Sequence, residues 1–168
     1  MNLSDLAPPI SLPTGLRWGS TRLDPATLWI TGRERARTAD LGRSIHSALT
    51  SAGRPAEVIG DESPADQRFA SLDDAERVRR AAAAAAAFVD DGVIAVVVVD
   101  SPHVRDREFA RLAHEARCLP FFEVFVPAPT DADRRLRPSD VYEVPPLPDL
   151  VVFQGPIVAT LASVIGLL

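Results

Sequence analysis

Val93-Ile94-Ala95-Val96-Val97-Val98-Val99 is an apolar run without alternation, as expected for a parallel strand covered on both faces. It lies between Asp91-Gly92 and Ser101-Pro102, both turn signals, so its length suits a strand. Immediately before it, residues 71–91 read as a helix. Ser71 with Asp74 three residues on forms a capping box, Glu76-Arg77 follow, and the alanine block 81–87 acts as helix filler. After the run, residues 104–117 form the next helix, with Phe109, Leu112, Ala113 and Ala116 as its expected inner face, and residues 121–126 form another strand. Toward the N-terminus, Leu28-Trp29-Ile30-Thr31 is a short strand ending at Gly32. A helix carrying Leu41, Ile45, Leu49 and Ala52 follows it, and then a strand over 56–59. Residues 150–153 are the expected last strand and the apolar stretch 157–168 a buried terminal helix. Such repeated β-then-α units predict right-handed crossovers and a three-layer α/β/α domain with a mainly parallel five-stranded sheet.

The chain has 168 residues, enough for one domain with a full core. The domain is expected over 28–168, and the Pro-rich residues 1–27 as an extended arm. All 18 basic residues are Arg, so Schiff-base chemistry, a lysine general base and a phosphate-binding lysine are excluded. A net charge of -5 without a long basic stripe argues against nucleic acid. Cys118 is the sole cysteine, so no internal disulfide is possible, and a partly buried inert thiol is expected there. No basic start with an apolar run opens the chain, and the twelve apolar residues at its end fall short of the roughly 20 that span a bilayer. The expectation is a cytoplasmic protein without a membrane partner.

Ligands of such sheets bind at the carboxyl ends of the strands, where Gly32, Asp61, Ser101 and Pro127 fall. The loop at Gly32 has the strand-to-helix setting of a phosphate-binding loop, G-x-x-x-x-G-K-[ST]. Its residues depart from that pattern: Arg37 stands at the second Gly, Thr38 at the Lys and Ala39 at the hydroxyl that holds magnesium, with Asp40 following. A carboxylate about 4 Å from a phosphate oxygen would repel it by roughly 4 kcal/mol at an effective dielectric near 20. Arg33, Arg35, Arg37, Arg105 and Arg107, all at one sheet edge, are candidates for an anion pocket. His103, beside Ser101 and Asp106, is a candidate acid/base group. His46 and His114 lack metal-ligand spacing, and no metal site is expected.

Over nearly its whole length from Thr14 the chain resembles the adenylylsulfate kinase family. Trp29-Ile30-Thr31-Gly32, Gly53-Arg54-Pro55 through Gly60-Asp61, and Phe122-Glu123-Val124-Phe125-Val126 are similar to the family's W-[LF]-T-G, G-x-P-x-x-x-L-D-G-D and I-E-V-[FY]-V. Phe69, the stretch 75–80, Gly92-Val93-Ile94, Ser101-Pro102 and the segment 140–145 continue the match. The resemblance implies a phosphate-loop kinase fold, with ligand contacts at positions resembling Gly32, Asp61, Phe69 and Ser101, Asp61 being the implied general base or magnesium-side carboxylate. The family's paired Asp, Asn, Tyr and Arg are here Ile59, Arg77, His103 and Val104, and its lysine-rich lid is reduced to residues 131–138.

Scaffold motifs are therefore kept where ligand motifs are lost. The expectation is a catalytically degenerate relative with lost or weak ATP and magnesium binding. It would serve as a homodimer, or as a heteromer with an active relative, and would still offer sites for a nucleotide or an anionic small molecule. The alternatives are an enzyme rebuilt around Asp61, His103 and the arginines, acting on a nucleotide or a sulfate or phosphate ester, and a residual adenylylsulfate kinase.

Overall fold

A computed structural model describes residues 24–60, 73–129, 141–153, 155 and 157–168. The expected arm, up to residue 23, and the shortened lid at 131–138 lie outside the described residues. The elements are β1 (Thr27–Thr31), α1 (Arg35–Ser51), β2 (Ala56–Gly60), α2 (Asp74–Asp90), β3 (Ile94–Val98), α3 (Val104–Glu115), β4 (Phe121–Phe125), β5 (Leu150–Val151) and α4 (Ile157–Ile165). The strands form one sheet in the order β2-β3-β1-β4-β5, with every pairing parallel. This is the expected α/β architecture. The central position of β1 and β3 explains why the apolar runs there lack alternation.

Each face of the sheet has its own core. Leu28, Ile30, Val96 and Val124 point toward Leu41, Ile45 and Leu49 of α1 and Leu161, Val164 and Ile165 of α4. Trp29, Ala95 and Val97 point the other way, toward α2 and Ala110 of α3. The alanine block has a packing role here: Ala81, Ala82 and Ala85 are buried in the same cluster as the fully buried Trp29. Small residues on the helix leave the volume that the indole fills.

Three local expectations are corrected. α2 is capped not by Ser71, which lies outside the described residues, but by Asp73, whose side chain accepts from Glu76 N at 2.8 Å. Cys118 is exposed rather than partly buried; it sits at φ 55 where the chain turns out of α3. The face of α3 is also reversed. Asp106, Arg107, Ala110 and His114 are its buried residues, while Phe109 and Leu112 are exposed. The reason is chemical: Arg107 and His114 on that face find hydrogen-bond partners inside, which apolar periodicity cannot reveal.

Candidate functional site

The mouth of the site is the row of strand ends at Thr31, Val98 and Phe125. Leaving β1, the chain passes Gly32, where a Cβ would come within 2.5 Å of the Val126 carbonyl oxygen. Glycine is therefore required by backbone approach, and Val126 N donates to Thr31 O at 2.8 Å beside it. α1 begins three residues on, with Glu34 as an N-cap that makes no side-chain cap bond.

The side chains of the first turn are turned inward or across. Arg37 Nη1 donates to the carbonyl of Pro127 at 2.7 Å, and its Nε lies 3.9 Å from Glu34 Oε2. Thr38 is buried and its hydroxyl donates back to Arg35 O at 2.9 Å, so it faces its own helix. Ala39 is buried and has no side-chain oxygen to offer a metal. Asp40 pairs with Arg43 on the exposed side of the helix.

A second helix N-terminus opens at the same edge, that of α3, and it is already occupied by an internal anion. Glu143 Oε2 accepts from Val104 N at 2.7 Å, and Oε1 lies 3.3 Å from His103 Nδ1. These bonds, the backbone one foremost, hold the Glu143 carboxyl below the ordinary carboxylate range. The neighbouring Tyr142 spans the strand ends. Its hydroxyl lies 2.8 Å from Thr31 Oγ1 and its ring stacks on Phe125 with centroids 6.3 Å apart, and burial raises its pKa. Residues 142–143 thus close over β1, β4 and the start of α3.

Below this cover is a polar knot that the periodicity did not reveal. Arg107, 3% exposed, donates from Nε to Glu123 Oε1 at 2.8 Å, from Nη1 to Ser101 O and from Nη2 to Glu143 O, both at 2.6 Å. Arg107, expected to help form an anion pocket, thus turns three of its five N–H donors onto protein groups. Arg111 bridges Asp149, at 2.8 Å, and Glu123, at 3.8 Å. Burial of Glu123 pushes its carboxyl upward, against the pull of Arg107. The sequence signal for this knot was charge at alternate in-facing positions, Glu123 within a strand and Arg107 one turn into a helix.

Of the other candidates, Ser101 is buried and its hydroxyl accepts from Trp29 Nε1 at 3.2 Å, which commits it to the core. His103 stands at the N-cap of α3, beside Glu143. Arg33 is half-buried near the Tyr142 hydroxyl, and Arg35 opens α1 on its exposed side. Arg77 pairs with Asp74 at 2.6 Å. Asp61 and Phe69 lie outside the described residues.

Arg37 lines an open cleft of about 300 Å³ against Val152, Phe153 and Ile157, while Arg105 lines a separate cavity of about 200 Å³ with Ala75 and Phe109 on the opposite face of the sheet. Among the described residues no group of three or more His, Cys, Asp or Glu is placed to hold a metal, and no helix is long and apolar enough to cross a membrane.

Comparison with known proteins agrees with the fold. The adenylylsulphate kinase family model matches residues 24–154. An adenylyl-sulfate kinase of Myxococcus xanthus is 33% identical over 149 residues, covering 74% of this chain and 80% of that protein. A bifunctional CysN/CysC enzyme of Mycobacterium tuberculosis is 28% identical over 134 residues, and there the chain spans about a fifth of the relative, 22% of its length. Among solved structures, an APS kinase from Mycobacterium tuberculosis superposes with a TM-score of 0.71 at 26% identity, covering 87% of this chain and 98% of that one. A hexameric APS kinase from Thiobacillus denitrificans gives 0.67 at 22% identity, covering 86% and 28%, a likeness of fold alone.

Proposed function

Because the chain belongs to the adenylylsulphate kinase family, we propose that it keeps the family scaffold without its phosphoryl transfer and acts as a non-catalytic binding, regulatory or assembly partner in sulfate and nucleotide metabolism. The observation that carries this reading is the bridge from Arg37 to Pro127 O across the first turn of α1. Transfer of a phosphoryl group depends on backbone N–H groups open to the phosphates, a cation at the terminal phosphate and a hydroxyl on magnesium. Here a guanidinium crosses the turn, a buried Thr38 takes the cation's position, and Ala39 replaces the hydroxyl. The α3 N-terminus, which could otherwise bind an anion, holds the Glu143 carboxylate instead.

The test is direct. Purified protein with ATP, magnesium and adenylyl sulfate is expected to form no 3′-phosphorylated product, and titration calorimetry with magnesium-ATP to show no heat. Product formed at an appreciable rate would overturn the reading in favour of a retained adenylylsulfate kinase.

One observation favours a second reading, a site rebuilt for acid/base work: the His103 imidazole is paired with a carboxylate at the strand ends. A carboxylate partner orients the ring. On this reading a nucleotide or a sulfate or phosphate ester binds at that edge, and His103→Ala weakens its binding while leaving the fold intact.

A further inference from the structure

The cavity between α2 and α3 has no part in the phosphate-loop chemistry. It measures about 200 Å³ and is lined by Ala75, Val78 and Arg79 of α2 and by Arg105, Asp106 and Phe109 of α3. It lies across the sheet from the cleft at Arg37, so what it binds is independent of whether phosphoryl transfer is retained.

Asp106 gives the cavity its chemistry. It stands in the first turn of α3 and is 8% exposed. Its Oδ1 lies 3.5 Å from Arg105 Nε, at the outer limit of a hydrogen bond. Its Oδ2 is enclosed and has no hydrogen-bond partner among the described residues. A carboxylate oxygen shut away from water without a donor is costly, and folded proteins seldom leave one so. The walls around it supply no such donor: Ala75, Val78 and Phe109 are apolar, and Arg79 turns its Nε to Glu76 at 3.2 Å. The space exceeds the roughly 150 Å³ of an engineered cavity that holds benzene, which suits a small organic molecule.

The charges select the class of that molecule. Arg79 and Arg105, with side chains 50% and 78% exposed, stand at the mouth, while Asp106 lies within. An amine without an anionic group meets two guanidiniums on its way to Asp106, and an anion without an amine meets the Asp106 carboxylate. A molecule of both signs is matched at each. The cation and anion of the site are close together, Asp106 beside Arg105, as are the ammonium and carboxylate of an α-amino acid, which a single carbon separates. The apolar wall, including Phe109 at 47% exposure, calls for an aliphatic side chain.

We propose that this cavity binds a free α-amino acid with a branched aliphatic side chain. The ammonium donates to Asp106 Oδ2, the carboxylate lies between Arg79 and Arg105, and the side chain packs on Ala75, Val78 and Phe109.

Titration calorimetry of the full chain with L-leucine, 3-methylbutylamine, 4-methylpentanoate and inorganic sulfate is the test. Leucine is expected to bind with a Kd of about 1 mM or tighter, and each analogue that keeps only one of its charges to bind about tenfold more weakly or worse. Asp106→Asn should weaken leucine about tenfold while improving 4-methylpentanoate, and Arg105→Gln should weaken leucine and leave the amine unharmed. Ala75→Leu, which fills the cavity without touching its charges, should abolish binding. Leucine should also raise the melting temperature of the wild type and not that of Asp106→Asn. The comparison of the four probes needs only the wild type, so it decides the matter even if a variant fails to fold. No heat with leucine, equal binding of leucine and either single-charge analogue, or wild-type leucine affinity in Asp106→Asn would each overturn the proposal. Sulfate binding that is lost in Arg105→Gln would overturn it as well, in favour of a simple anion site.

Discussion

Arg37 donates from Nη1 to the carbonyl oxygen of Pro127 at 2.7 Å, tying the first turn of α1 to the chain that leaves β4. The contact is made possible one step earlier, where Gly32 lets the strand-end loop lie against Val126. In a loop built for phosphate, glycine would leave that space open; here the same scaffold brings a guanidinium to a backbone carbonyl.

If this bridge and the missing ammonium close the site, rebuilding the loop should reopen it. The triple variant Arg37→Gly, Thr38→Lys, Ala39→Ser is expected to bind magnesium-ATP at least tenfold more tightly than the wild type, a gain of about 1.4 kcal/mol or more. Arg37→Gly alone should gain nothing measurable, because the cation is still absent. Calorimetry reads the affinity, and a nucleotide-dependent rise in melting temperature confined to the triple variant provides a second readout. Equal binding by wild type and triple variant would show that the bridge is not what limits the site.

The buried pair of Arg107 and Glu123 is expected to be costly to break and cheap to replace. Arg107→Met leaves a buried carboxylate and the carbonyls of Ser101 and Glu143 without their donor, a loss of about 3–5 kcal/mol in urea unfolding. Adding Glu123→Leu to that variant should recover part of the loss, since the uncompensated charge has gone. Additive losses in the double variant would mean that the two side chains act separately.

The knot also shows where reading the sequence stops. Strand and helix order, the parallel sheet and the central place of 94–98 follow from uninterrupted apolar runs and turn residues, which report burial on both faces. The departures at Arg37, Thr38 and Ala39 were equally legible, because loop chemistry is a matter of residue type at fixed spacing. What pattern could not supply was pairing between elements far apart in sequence. Arg107 reads as a surface cation near other arginines until Glu123, Ser101 and Glu143 are brought to it. For the same reason the apolar periodicity of α3 pointed to Phe109 and Leu112 as core, although the core side of that helix is the one with hydrogen-bond partners.

Gly42 tests the packing of α1 on the sheet. It lies in the interior of a helix, where glycine ordinarily costs up to about 1 kcal/mol relative to alanine. Yet a Cβ there would come within 2.5 Å of Val98 Cγ1, and the β-branched Val98 has little rotamer freedom with which to yield. Gly42→Ala is therefore expected to destabilise by about 1–3 kcal/mol. Combining it with Val98→Ala should cost less than the sum of the two single changes, because the cavity left at Val98 receives the new methyl. A stabilising Gly42→Ala would show that helix propensity outweighs the contact.

His114 sets a pH dependence whose sign follows from its bonds. It is fully buried, with Nδ1 2.8 Å from Ala110 O and Nε2 2.9 Å from Thr27 Oγ1. The neutral ring satisfies both contacts, with Nδ1–H donating to the carbonyl and Nε2 accepting from the hydroxyl. Burial lowers its pKa from the ordinary 6.5, against a smaller opposing pull from the Ala110 carbonyl. The unfolded chain therefore binds more protons than the folded one once pH drops below that value. The contribution is fully present above about pH 6.5 and is lost as pH falls from there toward the lowered folded value. Glu123 has the opposite sign: its raised pKa gives a contribution present at low pH and lost as pH rises through the folded value. Comparison with a variant lacking the imidazole separates the two. Wild type should lose unfolding free energy between about pH 7.5 and 5.5, and His114→Gln should lose measurably less over that interval, whatever its stability at the start. Thr27→Val should lower stability by about 1–3 kcal/mol at neutral pH, since Nε2 is then buried without its donor. Parallel pH profiles for wild type and His114→Gln would show that some other group governs acid unfolding.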